Sequence, residues 1–330
     1  MREADEFFHA PGAETYWSES HYFDAIDTEE GVALHCRVGF YPNRKQANVF
    51  FYLIADGTVY WLREEAVSPG DTHGLLVRGE DWTFELLPVD LPAEWNARVE
   101  GTVTATPADE PAAILGGEGD PATLSVDCTL TSRHDPFYYS DGETFPDEPR
   151  NDRYEVATHV EGTVTVDGRE RTLDGVGERD HSWGRRKWAG DAEWLWISGA
   201  FEDGTAYNHL SFWLAEHPEE RMINGFWYDG ERAVPLTGST VTETPAFGPG
   251  TAREWTRGET SPDMELELVR EGGATTIEVD PFVTTPLEWV DEERDQRAVL
   301  NRAAAQQTRD GDVPGAGFLE NITQLPLGGG

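Results

Sequence analysis

Residues 177–188 read Gly-Glu-Arg-Asp-His-Ser-Trp-Gly-Arg-Arg-Lys-Trp, which packs two carboxylates, four cations, an imidazole, a hydroxyl and two indoles into twelve positions. Arg179-Asp180-His181 puts an ion-pairable carboxylate beside an imidazole that titrates near neutrality, the raw material of general acid–base chemistry. Successive side chains on an extended chain point to opposite faces, so Asp180 and His181 are not a dyad by adjacency alone, whereas His181 and Trp183 share a side. The same groups also suit another role: Arg179, Asp180, Arg185 and Arg186 as a salt-bridge network pinning a loop, with His181 a satisfied hydrogen-bond donor. Gly175, Gly177, Gly184 and Gly190 bracket the stretch, where a backbone turns or comes close to another surface. Farther on, Glu320 stands between Leu319 and Asn321 and is either an inward acid or one more surface carboxylate.

The elements that position these groups are strands. Alternating apolar and polar residues at 32–41, 47–55, 58–63, 82–89, 95–105 and 122–132 are separated by Pro, Gly and Asp. The lead-in at 1–30 reads as irregular, 107–121 as a loose loop, and regular alternation stops from 134 to 153. The hairpin pattern returns afterwards, with turns at Asp167-Gly168, Asp203-Gly204, Asp229-Gly230 and Gly272-Gly273. Residues 291–309 have helix propensity, but Asp310-Gly311 followed by 315–325 favours a strand from about Leu300. Gly328-Gly329-Gly330 reads as a tail. A break near residue 150 predicts two domains, 1–150 and 151–330. Each is an antiparallel meander of the kind that closes into a barrel, so the expected fold class is all-β, two lipocalin-like antiparallel β-barrels side by side.

A two-residue turn at Asp203-Gly204 makes residues whose numbers sum to 407 face each other. One face of the hairpin then carries Trp194, Trp196, Ser198 and Ala200 opposite Trp213, Ser211, His209 and Tyr207. The other face carries Leu195 and Ile197 opposite Phe212 and Leu210. The aromatic face suits either a pocket for a flat apolar molecule or a surface covered by the other domain.

The run Gly175-Val-Gly177-Glu-Arg179-Asp180-His181-Ser182-Trp183-Gly184-Arg-Arg186-Lys-Trp188 resembles a motif of a bacterial and archaeal family of two-domain calycin (lipocalin-like) proteins. That family is related to carotenoid hydratases (hydroxyneurosporene synthase) and tocopherol cyclase-like proteins. Gly315-Ala-Gly317-Phe-Leu-Glu320 resembles its last barrel strand, and Tyr16-Trp17-Ser18-Glu19-Ser20 its N-terminal segment. The resemblance implies paired barrels holding a hydrophobic ligand, and hydratases that protonate an isoprenoid double bond and add water. It implies a His-x-Trp element, matched by His181 and Trp183, and a Tyr-x-Asp element. The latter reads Tyr207-Asn208-His209 here, so the proton would have to come from His209 or Glu320.

Composition bounds the partners. Of 330 residues, 63 are Asp or Glu against 25 Lys or Arg, a net charge of −38, with lysine only at positions 45 and 187. Such a surface on a core with 12 Trp suits a halophilic, acidic cytoplasmic protein, since concentrated salt screens self-repulsion. Nucleic acid is excluded as a partner for want of clustered cations, and no apolar run is long enough to span a bilayer. Cys36 and Cys128 read as free buried thiols. No His-x-His, Cys-x-x-Cys, Walker or dinucleotide pattern occurs, so no metal and no cofactor is expected.

The expected function is binding of a hydrophobic isoprenoid or lipid-like small molecule, with acid-initiated hydration or cyclisation of a carbon–carbon double bond. The alternative is a non-catalytic lipocalin-like carrier. Candidate catalytic residues are His181, Asp180, Arg179 and Glu320, and candidate ligand-binding residues are Trp183, Trp188, Trp194, Trp196, Tyr207, His209 and Trp213.

Overall fold

A computed structural model describes residues 3–68, 75–141, 152–186, 188, 192–214, 217–243, 261–292 and 295–327. Gly190 and the terminal glycines fall outside them. Strand β1 (Trp17–Asp27) is the first departure from the sequence expectation, because it lies where an irregular lead-in was read. Every residue of it is buried, including Ser18, Glu19, Ser20, His21, Asp24 and Asp27. Polar groups on both faces hide the period-2 signature that a half-buried strand shows.

The chain divides into two compact units. The first comprises Met1–Pro107, Gly119–Tyr138 and Asp147–Arg186. It contains β1, β2 (Val32–Tyr41), β3 (Gln46–Ala55), β4 (Thr58–Val67), β5 (Leu76–Arg78), β6 (Trp82–Asp90) and β7 (Glu94–Pro107). It continues with β8 (Asp120–Ser132), the short β9 (Phe137–Tyr138), β10 (Asp152–Val166) and β11 (Arg169–Arg185). The sheet order is β4-β3-β2-β1-β11-β10-β8-β7-β6-β5, and β4 also pairs with β7 from Thr58↔Pro107 to Trp61↔Thr104, so eight of these strands form a ring. Its interior is filled by residues such as Phe23, Cys36, Phe51, Phe84, Trp95, Val126 and Leu173. Cys36 and Cys128 are free and buried in it, as expected.

The domain break expected near residue 150 falls instead after Arg186. β10 and β11 pair with β8 and β1, and without them the first ring would be left open with two unpaired edges.

The second unit comprises Ala108–Glu118, Tyr139–Pro146 and Lys187–Gly330. It holds β12 (Ala192–Phe201), β13 (Ala206–Leu214), β14 (His217–Tyr228), β15 (Ala233–Glu243), β16 (Met264–Arg270), β17 (Gly273–Asp291), β18 (Gln296–Arg309) and β19 (Val313–Pro326), which close as a barrel in chain order. A short helix, α1 (Pro111–Gly116), stands in the stretch read as loose loop and packs on β17 of this unit. Residues 296–309 are strand throughout, pairing on both sides, so tertiary pairing overrides their helix propensity.

The turns explain which registers were readable. At Asp56-Gly57 and Asp167-Gly168 both residues have positive φ, the two-residue turn forms, and Ala55 faces Thr58 and Val166 faces Arg169. At Asp203-Gly204 only the glycine does, at φ +90°. Asp203 Oδ1 instead accepts from the amide and hydroxyl of Thr205 at 3.1 and 2.8 Å, Phe201 pairs with Thr205, and the loop has three residues. Facing residues therefore sum to 406, as in Trp194↔Phe212 and Ile197↔His209. The expected separation of an aromatic from an aliphatic face dissolves. Tyr207 shares the barrel interior with Leu195 and Ile197, and His209 and Trp213 follow on the same side of β13. Trp194 and Trp196 lie on the opposite face.

Candidate functional site: the two faces of strand β11

Strand β11 carries the central motif between β1 and β10, with His181 opposite both His21 and Tyr154, and Asp180 opposite Tyr22 and Glu155. It approaches β1 closely. A Cβ on Gly177 would stand 2.0 Å from the Asp24 carbonyl oxygen, and one on Gly175 would stand 2.4 Å from that of Ile26, so only glycine fits at either place. Arg179, His181 and Trp183 point into the ring, and Glu178, Asp180 and Ser182 point out. The alternation expected from the sequence holds, and His181 and Trp183 do share a side.

The inner face is a paired network that ties down the N-terminal segment. The His181 Nδ1–H donates to the Asp5 backbone carbonyl at 2.7 Å, and its Nε2 lies 2.7 Å from Glu19 Oε1. A carbonyl only accepts, so a proton must also sit on the His181–Glu19 axis. His9 adds its Nδ1 to the same Glu19 oxygen at 2.8 Å and stacks on Trp183 at 4.0 Å. Arg179, wholly buried, donates to Glu6 at 3.1 Å and to the Tyr154 hydroxyl at 2.6 Å, between the rings of Trp95 and Tyr154.

Burial works against charge at His9 and Glu19, but their mutual hydrogen bonds prevail. His9 is held above its ordinary 6.5 by Glu19 and Asp5, and Glu19 below its ordinary 4.5 by His181 and His9. His21 stacks on His181 at 3.9 Å, and burial, then the neighbouring cations, push it well below 6.5. His9 Nδ1, Glu19 Oε1 and His181 Nε2 all lie within 4.8 Å of one another, a two-histidine, one-carboxylate donor set of the kind that takes first-row divalent metals. Ligand spacing along the sequence could not reveal it, because the donors come from three separate segments.

The outer face is different in kind. Asp24, Glu155, Glu178 and Asp180, from β1, β10 and β11, are 1, 0, 2 and 9% exposed. Arg153 is the cation among them, bonded to Asp180 at 2.8 Å and paired with Glu155. The Tyr22 hydroxyl donates to Asp24 at 2.6 Å, and the Glu178 amide donates to the same carboxylate at 2.7 Å. Burial, followed by the adjacent Glu155 carboxyl hydrogen-bonded to it, raises Glu178 well above 4.5. Burial next to a second carboxyl thus favours the protonated form of Glu178. Farther along β11 the same face turns positive, and Arg186 is brought down to about 10 by burial, then by Arg153 and Arg37.

The remaining candidates lie in the second unit. Glu320 faces Trp196 and Arg302, is ion-paired to Arg302, and accepts from the Trp194 indole at 2.8 Å. It is a buried but neutralised carboxylate rather than the bare inward acid the sequence allowed. Arg302 lies over the Trp196 ring, and Trp188 stacks on Trp289 at 4.4 Å. The Tyr207 hydroxyl donates to Gln307 at 3.0 Å. Glu6, His9, Glu19, Tyr154, Glu155 and Glu178 were not among the candidates. Their one sequence signal is the alternation Trp17-x-Glu19-x-His21, which reads as a strand once polar residues are allowed to face inward.

Two eight-stranded antiparallel rings, each lined inside by a hydrophobic cluster, define an all-β, lipocalin-like protein. The chain belongs to the family described as domain of unknown function (DUF7064), which matches residues 2–324. Its fold is similar to that of a protein assigned as AttH from Nitrosomonas europaea, at 16% identity over 94% of each chain with a TM-score of 0.60. It is also similar to CghA solved with Sch210972, at 12% identity over 98% of this chain and 95% of that one, TM-score 0.57. Kievitone hydratase from Nectria haematococca gives 13% identity, 99 and 95% coverage and a TM-score of 0.55. No curated protein matches significantly. Among the described residues no helix is long and apolar enough to cross a membrane.

Proposed function

We propose that the outer face of β11 is an acid–base centre that adds water across a carbon–carbon double bond of a hydrophobic, isoprenoid or lipid-like small molecule. The observation that carries this reading is Glu178, a carboxyl 2% exposed whose protonated form is favoured by burial and by the hydrogen-bonded Glu155, one register step from Asp180. Glu178 gives its proton to the alkene, whose π pair becomes the new C–H bond. Water attacks the resulting cation, and its surplus proton passes to Glu155, which is paired with Arg153. A protonated alcohol is so strong an acid that an ordinary carboxylate suffices as base. The Glu155–Glu178 hydrogen bond then returns the proton to Glu178, and the net change is alkene plus water to alcohol. The hydratase among the proteins of like fold supports this choice of reaction. His181 and Arg179 act in this reading by fixing β11 from inside, and Asp180 by holding Arg153 beside Glu155.

The test is incubation of the purified protein with squalene and with a conjugated carotenoid in detergent micelles, in water labelled with heavy oxygen. Labelled alcohol is expected from the wild type, with a loss of roughly a hundredfold or more in Glu178→Gln, the usual size of a general-acid contribution. Full activity in Glu178→Gln would remove the proposal. The closed ring β12–β19, with a hydrophobic cluster along its inner wall, favours a second reading, a carrier that binds such molecules without converting them. Tight binding without labelled product from either probe would select it.

A further inference from the structure

Inside the second barrel lies a polar group that the hydration reading does not use. His209 and Ser211 of β13 face inward across from Ile197 and Leu195, and Ser239 of β15 lies beside the interior residue Leu268. Arg221 of β14 bridges them. Its Nε donates to Ser211 Oγ at 3.0 Å, and its Nη2 donates to Ser239 Oγ. His209 Nε2 is 3.0 Å from the Ser211 hydroxyl and 2.8 Å from that of Ser239.

A guanidinium only donates, so both hydroxyls accept from Arg221, and each also shares a hydrogen bond with His209 Nε2. His209 Nδ1 is buried and has no hydrogen-bond partner among the described residues. His209 is itself fully buried, and burial, then Arg221, brings its pKa down to about 3. Arg221 has no carboxylate partner among the described residues, and burial lowers its own pKa. In a chain with 63 acidic and 25 basic residues, this inward arginine faces two hydroxyls and an imidazole and, among the described residues, no counter-ion.

We propose that Arg221, Ser211, Ser239 and His209 bind the carboxylate of a small molecule with an apolar body. One guanidinium balances one negative charge, and its planar fork with two flanking hydroxyls suits the two oxygens of a carboxylate. A phosphate dianion would add surplus negative charge to the interior of a chain that already carries −38. Leu195, Ile197 and Tyr207 on the same inner wall select an apolar body over a hydrophilic one.

The test is calorimetric titration at fixed ionic strength with benzoate, octanoate, chloride and inorganic phosphate. Saturable binding of benzoate or octanoate is expected. Affinity should fall about tenfold or more in Arg221→Met, as when a charged hydrogen bond is removed, less in Ser239→Ala, and recover in part in Arg221→Lys. Without ligand, Arg221→Met should be at least as stable to urea as the wild type, because a half-buried cation with no carboxylate partner among the described residues is gone. The proposal is overturned if neither carboxylate saturates, if only chloride or phosphate does, or if Arg221→Met binds as the wild type does. A ligand-free Arg221→Met that is markedly less stable would make the arginine a brace and likewise overturn it.

Discussion

The two faces of β11 are built from adjacent residues, yet they solve opposite electrostatic problems. Inside, Arg179 meets Glu6, and His181 and His9 meet Glu19, so every buried charge has a partner of opposite sign. Outside, four buried carboxyls stand together, Arg153 is ion-paired to two of them, and burial beside Glu155 favours the protonated form of Glu178. A balanced network stabilises a single arrangement and has no proton to spare. An unbalanced one favours a proton on a carboxyl, the feature on which the proposed reaction rests. Between neighbouring residues of one strand, structure and chemistry are separated by the pleat alone.

The largest expected effect is on the balanced side. Arg179→Met leaves Glu6 buried without its partner and should cost about 3–5 kcal/mol in urea unfolding. Glu178→Gln replaces a carboxyl whose protonated form burial favours by an amide of the same shape, and its stability at pH 7 should stay within about 1 kcal/mol of the wild type. If Glu178→Gln is the more damaging of the two, the outer carboxyl is a structural ion and the comparison fails.

Stability against pH sharpens the contrast, because the faces fail at opposite ends. Glu178 has a folded pKa raised from 4.5, so its contribution is complete below 4.5 and is lost as pH rises through the raised value. His21 has a folded pKa far below 6.5, so its contribution is present above 6.5 and declines as pH falls. Glu19, lowered from 4.5, adds a further loss below that pH, while His9, raised from 6.5, works the other way and weakens the inner face in alkali. Urea midpoints measured across pH should therefore show an alkaline decline that flattens in Glu178→Gln and an acid decline that flattens in His21→Phe. A tenfold difference in a group's acidity between the folded and unfolded chain amounts to about 1.4 kcal/mol. An alkaline decline unchanged in Glu178→Gln would deny the neutral carboxyl.

How much of this could be read from the sequence follows from the same physics. The all-β class, the hairpin strands and the opposite orientation of Asp180 and His181 were legible, because period-2 alternation and Asp-Gly turns are local signals. β1 was not, since a strand polar on both faces has lost its alternation. The turn at Asp203-Gly204 misled by one residue because Asp203 bonds to Thr205 instead of adopting positive φ, and that single step moved Trp194 and Trp196 to the face opposite Tyr207, His209 and Trp213. The break after Arg186 was missed because ring closure is a long-range requirement, with β1 pairing to β11 from more than a hundred residues away. The partners Glu6, His9 and Glu19 stand as far from the motif, and no spacing rule reaches them.

The smallest effect tests whether the outer face is wired beyond its carboxyls. Ser20 and Ser182 face each other across β1 and β11, their hydroxyls 2.8 Å apart and buried, and Arg186 donates to Ser182 at 3.3 Å. Ser182 thus lies where the face changes from carboxyls to the arginines 37, 153 and 186. Ser182→Ala alone strands the Ser20 hydroxyl and should cost about 1 kcal/mol, whereas replacing both serines should restore most of it, because two apolar groups leave nothing unpaired. A double-mutant cycle in urea measures the difference. Coupling near zero would mean that Arg186 alone holds Ser182, and the negative and positive stretches of the face would then be independent of each other.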